Sequence, residues 1–155
     1  MKLPAMRGLS RNLIVYAVLN SNHHFYNQKV GINMIYTSYF GRMNSKKYGH
    51  LKNKAISIAR GNKYWEGDTY PELFPSWDII TKAHNKTITK EEYEKIYKTE
   101  ILDKLDPAKV YKELDNRILI CWEKTDDITT GEAFCHRYIV AQWLRDNGFD
   151  AQELE

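Results

Sequence analysis

The first 65 residues contain no aspartate or glutamate. They carry eleven basic residues: Lys2, Arg7, Arg11, Lys29, Arg42, Lys46, Lys47, Lys52, Lys54, Arg60 and Lys63. All 20 acidic residues come later, with the other 12 of the 23 Lys and Arg, so residues 66–155 carry −8 against the earlier +11. Such asymmetry points to an anionic partner, or to two halves that fold together and neutralise each other's field. The net charge of +3 is too small to argue for nucleic acid by itself.

Cysteine is scarce as well. Cys121 and Cys135 are too few for a disulfide scaffold, and reduced thiols in a cytoplasmic protein are expected, with a Cys121–Cys135 bridge as the oxidised alternative. Long apolar runs are missing. The stretch Leu13–Leu19 is seven residues, against the ~20 that a membrane span needs. It follows Lys2, Arg7 and Arg11 as a signal peptide's core would, but Asn20-Ser21-Asn22-His23-His24 offers no small-residue cleavage site. No Gly-x-Gly-x-x-Gly and no Walker loop occurs, so dinucleotide redox and ATPase chemistry have no support and no cofactor is expected. There is no internal repeat and no low-complexity tract.

A chain of 155 residues with 43% apolar and 28% charged residues is long enough for one domain with a real core. Residues 1–31 read as an N-terminal extension of uncertain structure, Met34 as an alternative start, and 32–155 as a single α/β domain. Ile32 to Phe40 is apolar, aromatic and β-branched, as a first strand should be. Gly41, Asn44, Ser45 and Gly49 among basic residues mark a loop, which predicts an exposed Lys46, Lys47, Lys52 and Lys54 beside the functional crevice. Ala55-Ile56-Ser57-Ile58 is a short second strand. A short helix is expected around Trp77, Ile79 and Ile80. Thr89-Lys90-Glu91-Glu92 is a capping box opening a helix to about Leu105, with Tyr93, Ile96, Tyr97 and Ile101 on one face. Asp106-Pro107 starts another helix as N-cap and first turn. Arg117 to Trp122 is an uninterrupted apolar run and so a buried strand. Ile139, Val140, Trp143 and Leu144 recur at helical spacing over His136–Asn147, closed by Gly148. Phe149 to Leu154 is a final strand. Strands separated by helices predict a mainly parallel sheet flanked by helices, a Rossmann-like three-layer architecture.

In such sheets ligands bind beyond the carboxyl ends of the strands. The clearest strand ends at Cys121-Trp122-Glu123-Lys124, and after a polar loop Cys135-His136-Arg137 opens a helix. A helix N-terminus lowers a thiol pKa and attracts anions. Cys135 is therefore a candidate thiolate, His136 a proton carrier, Glu123 an acid–base group and Arg137 an anion contact. Arg60, Ser38, Tyr39, Trp122, Lys124 and Cys121 complete the expected ligand surface. The bland alternatives are a core Cys121, a solvated Glu123, an Arg137 paired with a carboxylate and a His136 capping a loop. Cys121, Glu123, Cys135 and His136 are zinc-ligating types, but they lack the Cys-x-x-Cys spacing of structural sites, and no metal is assigned.

Ile35-Tyr36-Thr37-Ser38-Tyr39-Phe40, Ile56-Ser57-Ile58-Ala59-Arg60 and Leu105-Asp106-Pro107 resemble segments of the domain-of-unknown-function 488 family. So, most specifically, do Ile118-Leu119-Ile120-Cys121-Trp122-Glu123-Lys124 and Phe134-Cys135-His136-Arg137. The resemblance runs from about Met34 to about Glu153. It implies a compact α/β fold with the Cys-x-Glu-Lys and Cys-His-Arg blocks close together, and no particular reaction. Thr37-Ser38-Tyr39-Phe40 stands where the family's commoner opening contains glycine.

Three functions fit these residues. The first is an enzyme acting on a nucleotide or nucleic-acid component through Cys135 or His136. The second is a non-catalytic binder of a small anionic nucleotide, held by Arg60 and Arg137. The third is a nucleic-acid-binding module on segment 42–65, where Tyr48, Tyr64 and Trp65 interleave with basic residues and stack on bases.

Overall fold

The computed structural model describes residues 34–125 and 135–155. The readings of 1–31, of Ile32 and of Phe134 fall outside these residues. Strand β1 (Ile35–Tyr39), β2 (Ala55–Ser57), β3 (Ile118–Cys121) and β4 (Ala151–Glu153) form one sheet in the order β2-β3-β1-β4. Every pairing is parallel. The apolar run of β3 is explained by its place: it lies between β2 and β1 and all four residues are buried.

Alternation along the strands divides the core. Ile35, Ile56 and Leu119 face one side, with Leu73, Ile79, Tyr97, Leu114, Val140 and Leu144 from the helices. Ala55, Ile118 and Ile120 face the other, with Phe40 and Met43. The first side is covered by α2 (Trp77–His84), α3 (Lys90–Glu100), α4 (Pro107–Glu113) and α5 (His136–Asp146). The second is covered by the short α1 (Phe40–Met43) and the 3-10 turn Gly49–Lys54, through Tyr48 and Leu51. Covering both faces is what lets a parallel sheet carry a strand as apolar as β3.

Local chemistry sets the helix limits. Thr89 and Glu92 form the capping box at the start of α3, each side chain bonding the other's backbone N–H. That helix ends at Glu100, earlier than expected, and a 3-10 turn over Leu102–Lys104 follows. Asp106 is held extended ahead of Pro107 and caps α4 by accepting from the Ala108 N–H, so the long helix cannot run through. Among the described residues no helix is long and apolar enough to cross a membrane.

The chain leaves β1 toward β2 and leaves β3 toward β4, in opposite directions along the sheet. The two connections pass one another on opposite faces of the sheet, α1 and the 3-10 turn on one and α5 on the other. Tyr39 and Cys121, which are register partners, end these two strands at the carboxyl edge.

Candidate functional site

Cys121 and the Cys135-His136-Arg137 block lie at the same, carboxyl edge of the sheet: Cys121 ends β3 and Cys135 is the N-cap of α5. A crevice of about 920 Å³ opens beside them, beyond the ends of β2 and β3. Arg60 and Gly61 come to it from β2, Trp122 and Glu123 from β3, and His136 from α5. Trp77 and His84 of α2, Lys86 of the following loop, and Lys90 and Tyr93 of α3 form the opposite wall. Trp77 is 58% exposed and Trp122 48% exposed. Two large half-exposed rings thus border one cavity together with Arg60, Lys86 and Lys90.

Arg60 is fixed by donating from Nε to the Pro75 carbonyl at 2.7 Å. Its guanidinium also lies over the Phe74 ring, 5.7 Å from the centroid. Glu123 is partly buried, and burial pushes its carboxyl above the ordinary value, against the opposing pull of Arg137 and His84. The protonated form is therefore favoured over that of an exposed carboxyl. His136 is buried with its Nε2 2.7 Å from the Ile58 carbonyl oxygen. A carbonyl only accepts, so Nε2 carries the proton and Nδ1 the lone pair. Burial, with a smaller push from Arg137, lowers the His136 pKa from 6.5 to about 4, so the ring is neutral at physiological pH.

Gly61 has φ +80, a conformation that favours glycine, and a Cβ there would come within 2.6 Å of the Trp77 ring. Gly61→Ala should therefore displace Trp77 and lower the affinity for a crevice ligand by about tenfold, the scale of one lost ring stack. A titration of variant against wild type checks this, with the two melting curves run alongside.

Arg137 differs from its expected role as an exposed anion contact: it is wholly buried. Its Nε donates to Glu153 Oε2 at 3.2 Å and its Nη2 to Oε1 at 3.1 Å. Its Nη1 donates to the Glu123 carbonyl at 2.6 Å and to Cys121 Sγ at 2.9 Å. The guanidinium is thus occupied by β4 and by the turn after β3, and the carboxylate-paired alternative is the one realised. Glu153 is held in turn by the hydroxyls of Thr37 and Thr125.

The expectation of reduced cysteines is overturned, because Cys121 and Cys135 form a disulfide. Cys135 in this form is no nucleophile. The ligand atoms of Cys121, Glu123 and Cys135 lie within 4.8 Å of one another, but two bonded sulfurs offer no thiolate to a metal. His136 stands outside that group, since Nε2 is taken by Ile58 and Nδ1 is 3.9 Å from Cys135 Sγ.

Of the remaining expected residues, Ser38 is buried within β1, and Tyr39 lies against Arg137, whose guanidinium carbon is 5.9 Å from its ring centroid. Lys124 is exposed, and neither it, Ser38 nor Tyr39 borders the crevice. Lys46, Lys47, Lys52 and Lys54 are exposed as expected, but none borders the crevice either. The chain has by then descended to the amino edge of the sheet, where Lys54 donates to Asn116 ahead of β3. In segment 42–65, Tyr48 and Trp65 pack against the core and Tyr64 is left as the exposed ring, at 77%.

Trp77, His84, Lys86 and Lys90 were not among the site residues expected from the sequence. The signal available was Trp77, a large aromatic in the first turn of α2 but off the stripe that buries Ile79. Comparison with protein-family models, with curated proteins and with solved structures returns no match for this chain.

Proposed function

We propose that the crevice holds a small anionic ligand with a planar ring, of the nucleotide class. One observation carries the reading: a single cavity combines two half-exposed tryptophans with Arg60, His84, Lys86 and Lys90. Indole faces stack on bases, and Arg60, Lys86 and Lys90 answer a phosphate. Holding the ligand intact is the primary reading. Turnover is the second, favoured by the raised Glu123 carboxyl at the crevice wall, which can give or take a proton. Neither reading needs Cys135 as a nucleophile or Arg137 as a direct contact. The nucleic-acid module on 42–65 is the weakest, since two of its three aromatics, Tyr48 and Trp65, pack against the core.

The finer architecture proposed is Rossmann-like, in a cytoplasmic protein. Kinship with the domain-of-unknown-function 488 family is proposed on the Cys-x-Glu-Lys and Cys-His-Arg blocks.

The test is a calorimetric titration with adenosine monophosphate at low salt. Arg60→Ala and Trp122→Ala should each weaken binding by about tenfold or more, from one lost charge-assisted contact and one lost stack. Adenosine monophosphate recovered unchanged after incubation identifies a binder, and a product identifies an enzyme. Absence of binding by a folded wild type rejects both.

A further inference from the structure

The Cys121–Cys135 disulfide joins the end of β3 to the start of α5 beside Arg137, and the proposed ligand site makes no use of it. We propose that this pair is a thiol–disulfide exchange site for small thiols, with Cys135 the sulfur attacked and Cys121 the sulfur released. The inference does not rest on the nucleotide reading.

The two sulfurs are unequal. Cys121 is wholly buried at the end of β3, with the Arg137 guanidinium at 2.9 Å and Glu123 Oε2 at 3.3 Å from its Sγ. Cys135 is 4% exposed and borders a second cavity of about 210 Å³, with Lys90, Glu94, Tyr138 and Gln142. Exchange is directed by access to the attacked sulfur and by how well the departing sulfur carries charge. Cys135 has the access. Cys121 has the cation.

The steps balance. A thiolate of a low-molecular-weight thiol such as glutathione, entering at the second cavity, bonds to Cys135 Sγ. The Cys121–Cys135 bond breaks and its electron pair leaves on Cys121 Sγ, beside Arg137. Glu123 is placed to supply the proton that neutralises it. A second thiolate then attacks the sulfur of the bound small thiol. That releases the small disulfide, and the electron pair of the broken bond leaves on Cys135 Sγ, 3.9 Å from His136 Nδ1, where the thiolate takes a proton from water. Two small thiols, having lost their protons to solvent, are oxidised to one disulfide; the protein gains two electrons and, once Glu123 and Cys135 are reprotonated from solvent, two protons.

The experiment uses the full chain in glutathione buffers of graded ratio, quenched with iodoacetamide and read peptide by peptide by mass spectrometry. The wild type should pass reversibly between disulfide and dithiol, and the reduced protein should alkylate at Cys135 about tenfold faster than at Cys121. Cys121→Ser should accumulate glutathione on Cys135, while Cys135→Ser should take none on Cys121. The wild-type measurement stands even if either variant fails to fold. The proposal is overturned by a pair that stays oxidised or stays reduced across all ratios, or by preferential reaction at Cys121. It is equally overturned if the reduced protein takes up one Zn²⁺ that shields both cysteines, since Cys121, Glu123 and Cys135 would then be metal ligands.

Discussion

Arg137→Ala should destabilise the protein by about 3–5 kcal/mol, the cost of removing one partner from a buried ion pair. The side chain is fully enclosed and that of Glu153 is 16% exposed, so water cannot replace the lost guanidinium. The carboxylate keeps Thr37 and Thr125 but loses both charged bonds. The Glu123 carbonyl loses its donor as well, so the turn after β3 loosens with it. A melting temperature lower by on the order of 10 °C is expected for a chain of this size. Arg137→Lys should recover part of the loss, because a lysine keeps the charge without the two-pronged geometry. A drop below about 1 kcal/mol would mean that the pair behaves as a surface salt bridge, and the buried assignment would be wrong.

Acidification should cost the fold about 3 kcal/mol through His136 alone, as the pH falls from 6.5 to about 4. The sign follows from the depressed pKa. Between those values the unfolded chain binds a proton on His136 and the folded chain does not, so stability is lost as pH falls and is fully present above 6.5. Glu123 acts in the opposite sense: its raised carboxyl binds a proton in the folded state first, which favours folding on acidification. The His136 part is isolated by comparing wild type with His136→Gln, whose amide can still donate to the Ile58 carbonyl. Urea midpoints at pH 7 and pH 4.5 should diverge for the wild type and stay closer for the variant. Parallel pH profiles would show that the imidazole is hydrated or charged in the folded protein.

Much of the fold was legible because its signals are local. Ile118-Leu119-Ile120-Cys121 has no polar position, which only a strand buried on both faces tolerates, and it is the strand between β2 and β1. Thr89 with Glu92, and Asp106 with Pro107, announce helix starts through side chains one turn away. The site was legible only in half. Trp122, Glu123 and His136 could be placed because they sit at a strand end and a helix start.

The fate of Arg137 was not legible. Its partner is on β4, and only the register that sets Thr37 beside Glu153 brings that carboxylate across β1. The disulfide has the same origin, since the strand end and the helix start must meet at the edge before the sulfurs can bond. Trp77, Lys86 and Lys90 reach the crevice through the packing of α2 and α3 over the sheet, which no spacing in the chain encodes.

The central claim is that the crevice takes a phosphorylated, ring-bearing ligand. The direct measurement is mass spectrometry of small molecules released from the gently purified full chain. A nucleotide-class compound at near one per protein, lost from Arg60→Ala and Trp122→Ala preparations that melt like the wild type, is the predicted result. A wild-type preparation that releases only apolar or cationic compounds, or that retains its compound undiminished in both variants, would contradict it.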